Sequence, residues 1–179
     1  MRMHQGNRMS EALFTIGTEG RRELEHLGIE VLRLERVPPT QIEHFLAVND
    51  IRIAAERTPG LSYFFAYWEL PALHWRWPII PDALFSVEGR TIAVEYDRGM
   101  ESLRYFVRTK MRAYEQGLDD LAVHSVLVVA DRPARVATLA RAIDDGSGRV
   151  TLATIDEVRK GGLPEGIVRS PEPTLKGQP

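Results

Sequence analysis

The 179-residue sequence contains no cysteine, which excludes disulfide bonds and metal sites with thiolate ligands. No apolar run approaches the length of a membrane span, and the N-terminus lacks the apolar core of a signal peptide. The formal net charge is −2, so the chain as a whole lacks the basic excess that favours nucleic acid. The apolar content of 44% is enough for a proper core. These features predict a cytoplasmic globular protein without membrane partners.

A β-hairpin is predicted over residues 81–97. Glu88-Gly89 is a two-residue connection of the kind that joins hairpin strands. With that turn length, Asp82 faces Glu95, and such cross-strand partners lie on one face, roughly 4.5–5.5 Å apart. Two carboxylates this close repel each other unless a cation lies between them, and a divalent metal is the natural candidate. A three-residue turn would shift the register by one, and an acidic pair facing water is the alternative interpretation.

The second hairpin strand divides its side chains between two faces, because successive residues of a strand point in opposite directions. The acids fall on one face and the large apolar side chains on the other. The first set is Ala93, Glu95 and Asp97, and the second is Ile92, Val94 and Tyr96. Asp97 is therefore predicted to share the face of Glu95, and the second set is predicted to pack against a core.

An amphipathic helix is predicted to follow, from Gly99 to a C-terminal stop at Gly117. Its apolar stripe consists of Leu103, Phe106, Val107, Met111 and Tyr114. Lys110 falls within roughly 40° of the centre of that stripe, where a lysine either snorkels to water or meets an anion. Because three acids precede it on the strands, we favour the second interpretation.

Basic residues are concentrated between positions 98 and 112, although the whole chain is slightly acidic. Glu101 is the only acid in this stretch, whose basic residues are Arg98, Arg104, Arg108, Lys110 and Arg112. The three arginines of the helix form a row on its solvated side. Such a row favours contacts with DNA phosphates, and a simple solvated helix face is the alternative.

These motifs resemble the core of the PD-(D/E)XK nucleases: Pro-Asp at 81–82, Glu-x-Asp at 95–97, and a helical Lys110 followed four residues later by Tyr114. More narrowly, together with His-Phe-Leu-Ala-Val-Asn-Asp at 44–50, they resemble the replication-relaxation proteins of plasmids and other bacterial mobile elements. The resemblance spans about residues 40 to 130.

The resemblance implies a metal-dependent DNA endonuclease. In that arrangement Asp82, Glu95 and the backbone carbonyl of Tyr96 hold Mg²⁺ or Mn²⁺, and Asp97 positions a water or a second ion. Lys110 stabilises charge on the phosphate. Glu56 is a candidate further metal ligand, although the favoured interpretation is that it ends a helix at the surface.

The chain also departs from the wider superfamily pattern. The lysine usually found two positions after the glutamate is replaced by Asp97. Lys110 could serve instead from the helix, a relocation the superfamily tolerates. The departure keeps open a catalytically inactive module that binds DNA or assists replication, and a protein-interaction subunit is the third alternative. DNA is the expected partner, with a second copy of the chain as a further candidate.

The expected fold is α/β: a mixed sheet, with a three-strand antiparallel meander plus parallel strands, flanked by helices. The predicted elements are a helix from about 40 to 57, strands at 61–68, in the hairpin, at 125–130 and at 150–155, and a helix from 133 to about 144. This nuclease-like domain is predicted over residues 37–160, followed by a flexible tail over 161–179.

Residues 1–36 are interpreted as an N-terminal remnant, because the stretch 12–28 resembles the end of a winged helix; a simple helix packed on the sheet is the alternative interpretation. In replication-relaxation proteins a winged helix precedes the nuclease-like part. The dozen residues before this stretch are too few for the helices that would read DNA. The expectation is therefore either a chain that begins late in its reading frame or a degenerate DNA-reading part.

Overall fold

The computed structural model describes residues 17–28, 41–73, 79–117, 123–143 and 148–168. Its internal contacts divide the chain into two compact units, Met1–Arg36 and Val37–Pro179. In the first unit, helix α1 runs from Thr18 to His26, and Gly28 follows it with a φ of 73°. The rest of the predicted winged-helix remnant lies outside the described residues.

A five-stranded mixed sheet forms the centre of the second unit. Its strands lie side by side in the order β1-β2-β3-β4-β5. Pairing is antiparallel from β1 to β3 and parallel from β3 to β5, which confirms the predicted meander plus parallel strands. The strand bounds are β1 Leu61–Ala66, β2 Ala83–Val87, β3 Arg90–Asp97, β4 Ser125–Ala130 and β5 Val150–Thr154.

The turn between β2 and β3 sets the register on which the site depends. Both turn residues have positive φ, 51° at Glu88 and 76° at Gly89, as a two-residue hairpin turn of the primed type requires. Strand pairing then runs from Val87 opposite Arg90 to Ala83 opposite Val94. This confirms the predicted two-residue turn and register.

Helices cover both faces of the sheet and fill two cores. One face packs against α2 (Ile42–Glu56), α5 (Ile155–Gly161) and α6 (Glu165–Val168), and it receives the side chains of Ile92, Val94 and Tyr96. The other packs against α4 (Pro133–Ala142) and a composite helix, α3, over residues 103–117. The predicted alternation of β3 is therefore confirmed for its apolar set. No helix in the described part of the chain is both long enough and apolar enough to span a bilayer.

Helix α3 differs from the regular α-helix that was predicted. It begins at Leu103, after Ser102 caps its first turn, and becomes π-helical over Phe106–Met111 before returning to α-helix over Arg112–Gly117. Phe106 and Met111, five residues apart, are both buried, because the wider π turn brings i and i+5 toward one face. A sequence pattern assessed at 100° per residue cannot reveal this.

Helix α2 packs on the sheet through small side chains. The face against the sheet is rich in small residues and consists of Ala47, Val48, Ile51, Ala54 and Ala55, whereas Ile53 is 45% exposed. Alanine side chains let the helix lie close to its neighbours. Glu56 is exposed at the end of the helix.

The folded unit extends beyond the predicted boundary at residue 160. Leu163 and Ile167 are buried in the core shared with α2, so the first part of the predicted tail is packed. Residues 169–179 of that tail lie outside the described residues. The unpredicted helix α5 begins with a capping box, in which Thr154 Oγ1 accepts from the Glu157 N–H while the Glu157 carboxylate accepts from the Thr154 N–H.

Replacing Thr154 with alanine should therefore lower the free energy of unfolding by about 1 kcal/mol, because one N–H at the start of α5 loses its acceptor. Urea denaturation measures the change. Thr138→Ala is the matched control, since that exposed hydroxyl bonds only to a carbonyl one turn back in α4. A Thr154 variant as stable as the Thr138 variant would contradict the assigned cap.

Candidate active site

A cavity of about 310 Å³ lies at the end of the sheet where β2 begins and β3 ends. Four parts of the fold line it: the N-terminal end of α2, the segment after β1, the residue before β2, and the path from the end of β3 into α3. The lining includes His44, Tyr67, Asp82, Asp97, Arg98 and Lys110. Four of these six were predicted from the sequence as site residues.

Asp82 is fixed in the cavity wall by two hydrogen bonds. Its Oδ2 accepts from the Tyr96 N–H at 2.7 Å, and its Oδ1 lies 2.9 Å from Nε2 of His44. The Asp82 N–H donates to the carbonyl of Val94 at 2.9 Å, although Val94 already pairs with Ala83, so the pairing shifts by one residue just before β2. Asp82 is nevertheless close enough to Glu95 on the neighbouring strand for its charge to raise the pKa of that carboxyl.

Glu95 is buried, with 1% of its surface exposed, and both of its oxygens have partners from α3. Lys110 Nζ donates to Oε2 at 2.9 Å, and the Tyr114 hydroxyl donates to Oε1 at 2.6 Å. Burial, and next the negative charge of Asp82, raise the pKa of Glu95 to about 7, while Lys110 and Tyr114 oppose that rise. The structure thus brings Asp82, Glu95 and Lys110 together.

Lys110 joins the acids to the cavity, because it lines the wall while its ammonium group reaches Glu95. A second carboxylate, that of Glu101, lies 3.3 Å from Nζ. Burial by itself lowers the pKa of Lys110, but the charge of Glu95 and its hydrogen bond raise that pKa overall. The lysine is therefore charged and is held at the cavity by Glu95. This agrees with the prediction that Lys110 meets an anion.

Asp97 has a different set of partners from its predicted neighbours. Its Oδ1 accepts from the Gly99 N–H at 2.6 Å, and its Oδ2 accepts from Arg135 Nε at 2.9 Å. The carboxylate is nearly fully buried, and α4 supplies the guanidinium that neutralises it. Asp97 lines the cavity, but its charge is balanced by Arg135 and its contacts hold the loop after β3.

The remaining predicted residues are distributed unevenly. Arg98 lines the cavity and pairs with Glu43 on α2. The arginines of the predicted DNA-binding row, Arg104, Arg108 and Arg112, are all exposed on α3. Glu56 lies twelve residues along α2 from His44, about 18 Å at the rise of an α-helix. The structure does not bring Glu56 to the cavity.

A divalent ion fits only part of the predicted ligand set. Among the residues that the structure describes, no group of three His, Asp or Glu side chains is placed to hold a metal. Mg²⁺ is commonly held by one or two carboxylates with waters and substrate phosphate, and each carboxylate offers about four acceptor positions. Asp82 and Glu95 use two each, which leaves acceptor positions on both carboxylates, and their binding of Mg²⁺ or Mn²⁺ stays a prediction. The Tyr96 carbonyl as a ligand stays a prediction.

Three residues of the site were not assigned a role by sequence reasoning. His44 shows no ligand spacing, and Arg135 lies on a helix 38 residues after its partner, so only the tertiary fold reveals either contact. Tyr114 was predicted as part of an apolar stripe. Its place four residues after Lys110 was a usable signal, because i and i+4 side chains lie on one helix face.

The raised pKa of Glu95 makes stability depend on pH. A group whose pKa is higher in the folded state contributes stability below its unfolded value, near 4.5, and loses it as the pH rises through about 7. The free energy of unfolding should therefore fall by about 3 kcal/mol between pH 5 and pH 8. Urea denaturation across this range measures it. Glu95→Gln should flatten the profile, and an equally steep profile in that variant would contradict the assignment.

Comparison with known proteins gives one match. A family model described as replication-relaxation matches residues 3–122 of the chain. Searches of curated proteins and of solved structures gave no match. The matched range includes α2, the hairpin and α3, and therefore all of the predicted site residues.

Proposed function

Because the chain belongs to the replication-relaxation family, with a role in plasmid or mobile-element replication, we propose that it processes DNA as a metal-dependent endonuclease of the PD-(D/E)XK type. One observation carries the proposal. Asp82, just before β2, lies close enough to Glu95 on β3 for its charge to raise the pKa of Glu95, and Lys110 extends from the cavity wall to within 2.9 Å of Glu95. Paired carboxylates beside a lysine are the groups that phosphodiester hydrolysis with a divalent cation requires.

The proposed reaction is the hydrolysis of one phosphodiester bond. A water oxygen bonds to phosphorus, the bond from phosphorus to one sugar oxygen breaks, and a proton passes to that oxygen. Asp82 and Glu95 would hold Mg²⁺ or Mn²⁺, which when bound polarises the phosphoryl oxygen and lowers the pKa of the attacking water. Lys110 places positive charge beside the phosphate, and Tyr114 keeps Glu95 oriented.

The proposed DNA path runs from the cavity along α3. Arg98 lies at the cavity, and the exposed row of Arg104, Arg108 and Arg112 continues on the helix that carries Lys110. Phosphates bound by this row would hold the strand against the cavity and would make binding weaken with salt. Glu43 competes with phosphate for Arg98, so the ion pair between them must open when DNA binds.

Supercoiled plasmid incubated with the protein and Mg²⁺ or Mn²⁺ tests this function. We expect conversion to open circles with either ion and none with excess chelator. Binding of the same DNA is measured in parallel at low and high salt. The enzymatic function would be rejected if the protein did not nick the plasmid and calorimetry detected no ion binding at millimolar concentration.

A non-catalytic DNA-binding module is the second candidate, and one specific observation favours it. Every carboxylate oxygen of Asp82, Glu95 and Asp97 already accepts a hydrogen bond from the protein, and Asp97 occupies the usual position of the superfamily lysine. Salt-dependent DNA binding without nicking would select this candidate. Absence of binding even at low salt would reject both candidates in favour of a protein-interaction subunit.

A further inference from the structure

Three of the four large apolar side chains exposed in the described part of the second unit lie on, or next to, two of the four segments that line the cavity. Ile80 is 56% exposed and precedes Asp82 by two residues. Met100 is 79% exposed and itself lines the cavity, and Tyr105, in the first turn of α3, is 49% exposed. The fourth, Ile53, lies on α2. Since β2 begins where antiparallel β3 ends, residues 80–82 and 97–100 lie at the same end of the sheet.

The backbone on both sides of Met100 is held in place. Gly99 has a φ of 73°, and its N–H donates to Asp97 Oδ1. Arg135 holds both ends of the loop, because its Nε donates to Asp97 and its Nη2 donates to the carbonyl of Glu101 at 3.2 Å. An apolar side chain that is both exposed and carried on a fixed backbone gains little from packing. Such a side chain is available for contact with a binding partner.

The groups around Met100 are cationic, which favours a nucleic acid as the partner. The ammonium of Lys110 lines the same cavity, and Arg98 stands two residues before Met100. Exposed arginines continue along α3 beyond Tyr105. When the phosphates of a DNA strand follow these cations, its bases lie against the exposed apolar side chains of Ile80, Met100 and Tyr105. Methionine is among the side chains that proteins insert between base steps, and aromatic rings such as that of Tyr105 stack on unpaired bases.

We infer that Met100, with Tyr105 and Ile80, forms an apolar rim that binds unstacked bases, so that the substrate is single-stranded DNA or a duplex with a disrupted base step. This inference rests on the proposed function, whose site it extends. In this arrangement Asp97 and Arg135 are positioning residues, because they hold the loop that presents Met100. Intact duplex binds less tightly, since its bases must first be unstacked.

Equilibrium binding to three fluorescently labelled DNAs tests the inference: a single strand of 20 nucleotides, its perfect duplex, and the same duplex with one mismatch. Chelator is present to prevent cleavage. We expect the full-length protein to bind the single strand most tightly and the perfect duplex least tightly. Met100→Ala should weaken single-strand binding about tenfold, since one apolar contact with an unstacked base is lost, and should leave binding of the perfect duplex unchanged. Ile53→Ala is the matched control and should bind all three DNAs like wild type.

The outcomes separate this inference from the function on which it rests. Equal affinity of wild type for the three DNAs, or a Met100 variant that binds single strands normally, would overturn the rim while leaving DNA binding intact. A Met100 variant weakened equally on all three would also overturn it, because the effect would then not depend on base stacking. Failure of wild type to bind any DNA would reject the proposed function and the rim together.

Discussion

Replacing Asp82 with asparagine is expected to reduce plasmid nicking about 100-fold or more, because loss of even an outer-shell partner costs a metal site 10–100-fold. The substitution is nearly isosteric. The asparagine amide oxygen can still accept a hydrogen bond from the Tyr96 N–H, which in the wild type donates to Asp82 Oδ2 at 2.7 Å. The negative charge beside Glu95 is lost, and with it one of the two carboxylates that fit a divalent ion. Open-circle formation over time, measured with Mg²⁺ and with Mn²⁺, gives the rate.

Glu56→Gln provides the matched control, since it makes the same chemical change on a carboxylate that the sequence also suggested as a ligand. The structure places Glu56 at the exposed end of α2, away from the cavity. We expect its nicking rate to stay within about twofold of wild type, as for a surface substitution. Equal losses in both variants, or full activity in the Asp82 variant, would show that the Asp82 and Glu95 pair is not the reacting site.

Local patterns predicted the part of the site that local geometry determines. A two-residue turn fixes which residues face each other across a hairpin, so counting residues predicted the pairing from Val87 with Arg90 to Ala83 with Val94, which leaves Asp82 at the Glu95 end of β3. The place of Lys110 followed from helical periodicity, because a lysine within an apolar stripe needs an anion and Glu95 is the anion it meets. Strand β4 was predicted because it is an uninterrupted apolar run covered on both faces.

The rest could not be predicted because it depends on contacts between distant segments. Asp97 alternates onto the face of Glu95 as expected, but the charge of Arg135 from α4 decides what its carboxylate does. His44 reaches Asp82 only because α2 packs across the sheet. The π-helical stretch of α3 breaks the 100° rule that sequence analysis assumes. A single sequence carries no signal for these three features.

Replacing Lys110 with methionine is expected to lower the free energy of unfolding by about 3 kcal/mol or more at pH 8. Removing one partner of a buried ion pair leaves the other charge uncompensated, which typically costs 3–5 kcal/mol. Here the remaining charge is on Glu95, which is 1% exposed and also repelled by Asp82. The loss should be smaller at pH 5.5, because a Glu95 whose pKa is raised takes up a proton there. Urea denaturation at the two pH values measures both changes.

Two further variants make this prediction specific to the pair. Lys160→Met removes an exposed lysine of α5 and should change stability by less than about 0.5 kcal/mol. The double variant Glu95→Gln with Lys110→Met should be more stable at pH 8 than Lys110→Met alone, since the glutamine leaves no buried charge to compensate. A double variant no more stable than the single one would mean that Lys110 stabilises the fold by packing rather than by its charge. In that case the ammonium group would not be what holds Glu95 ionised beside Asp82, and the electrostatic basis of the proposed metal site would be lost.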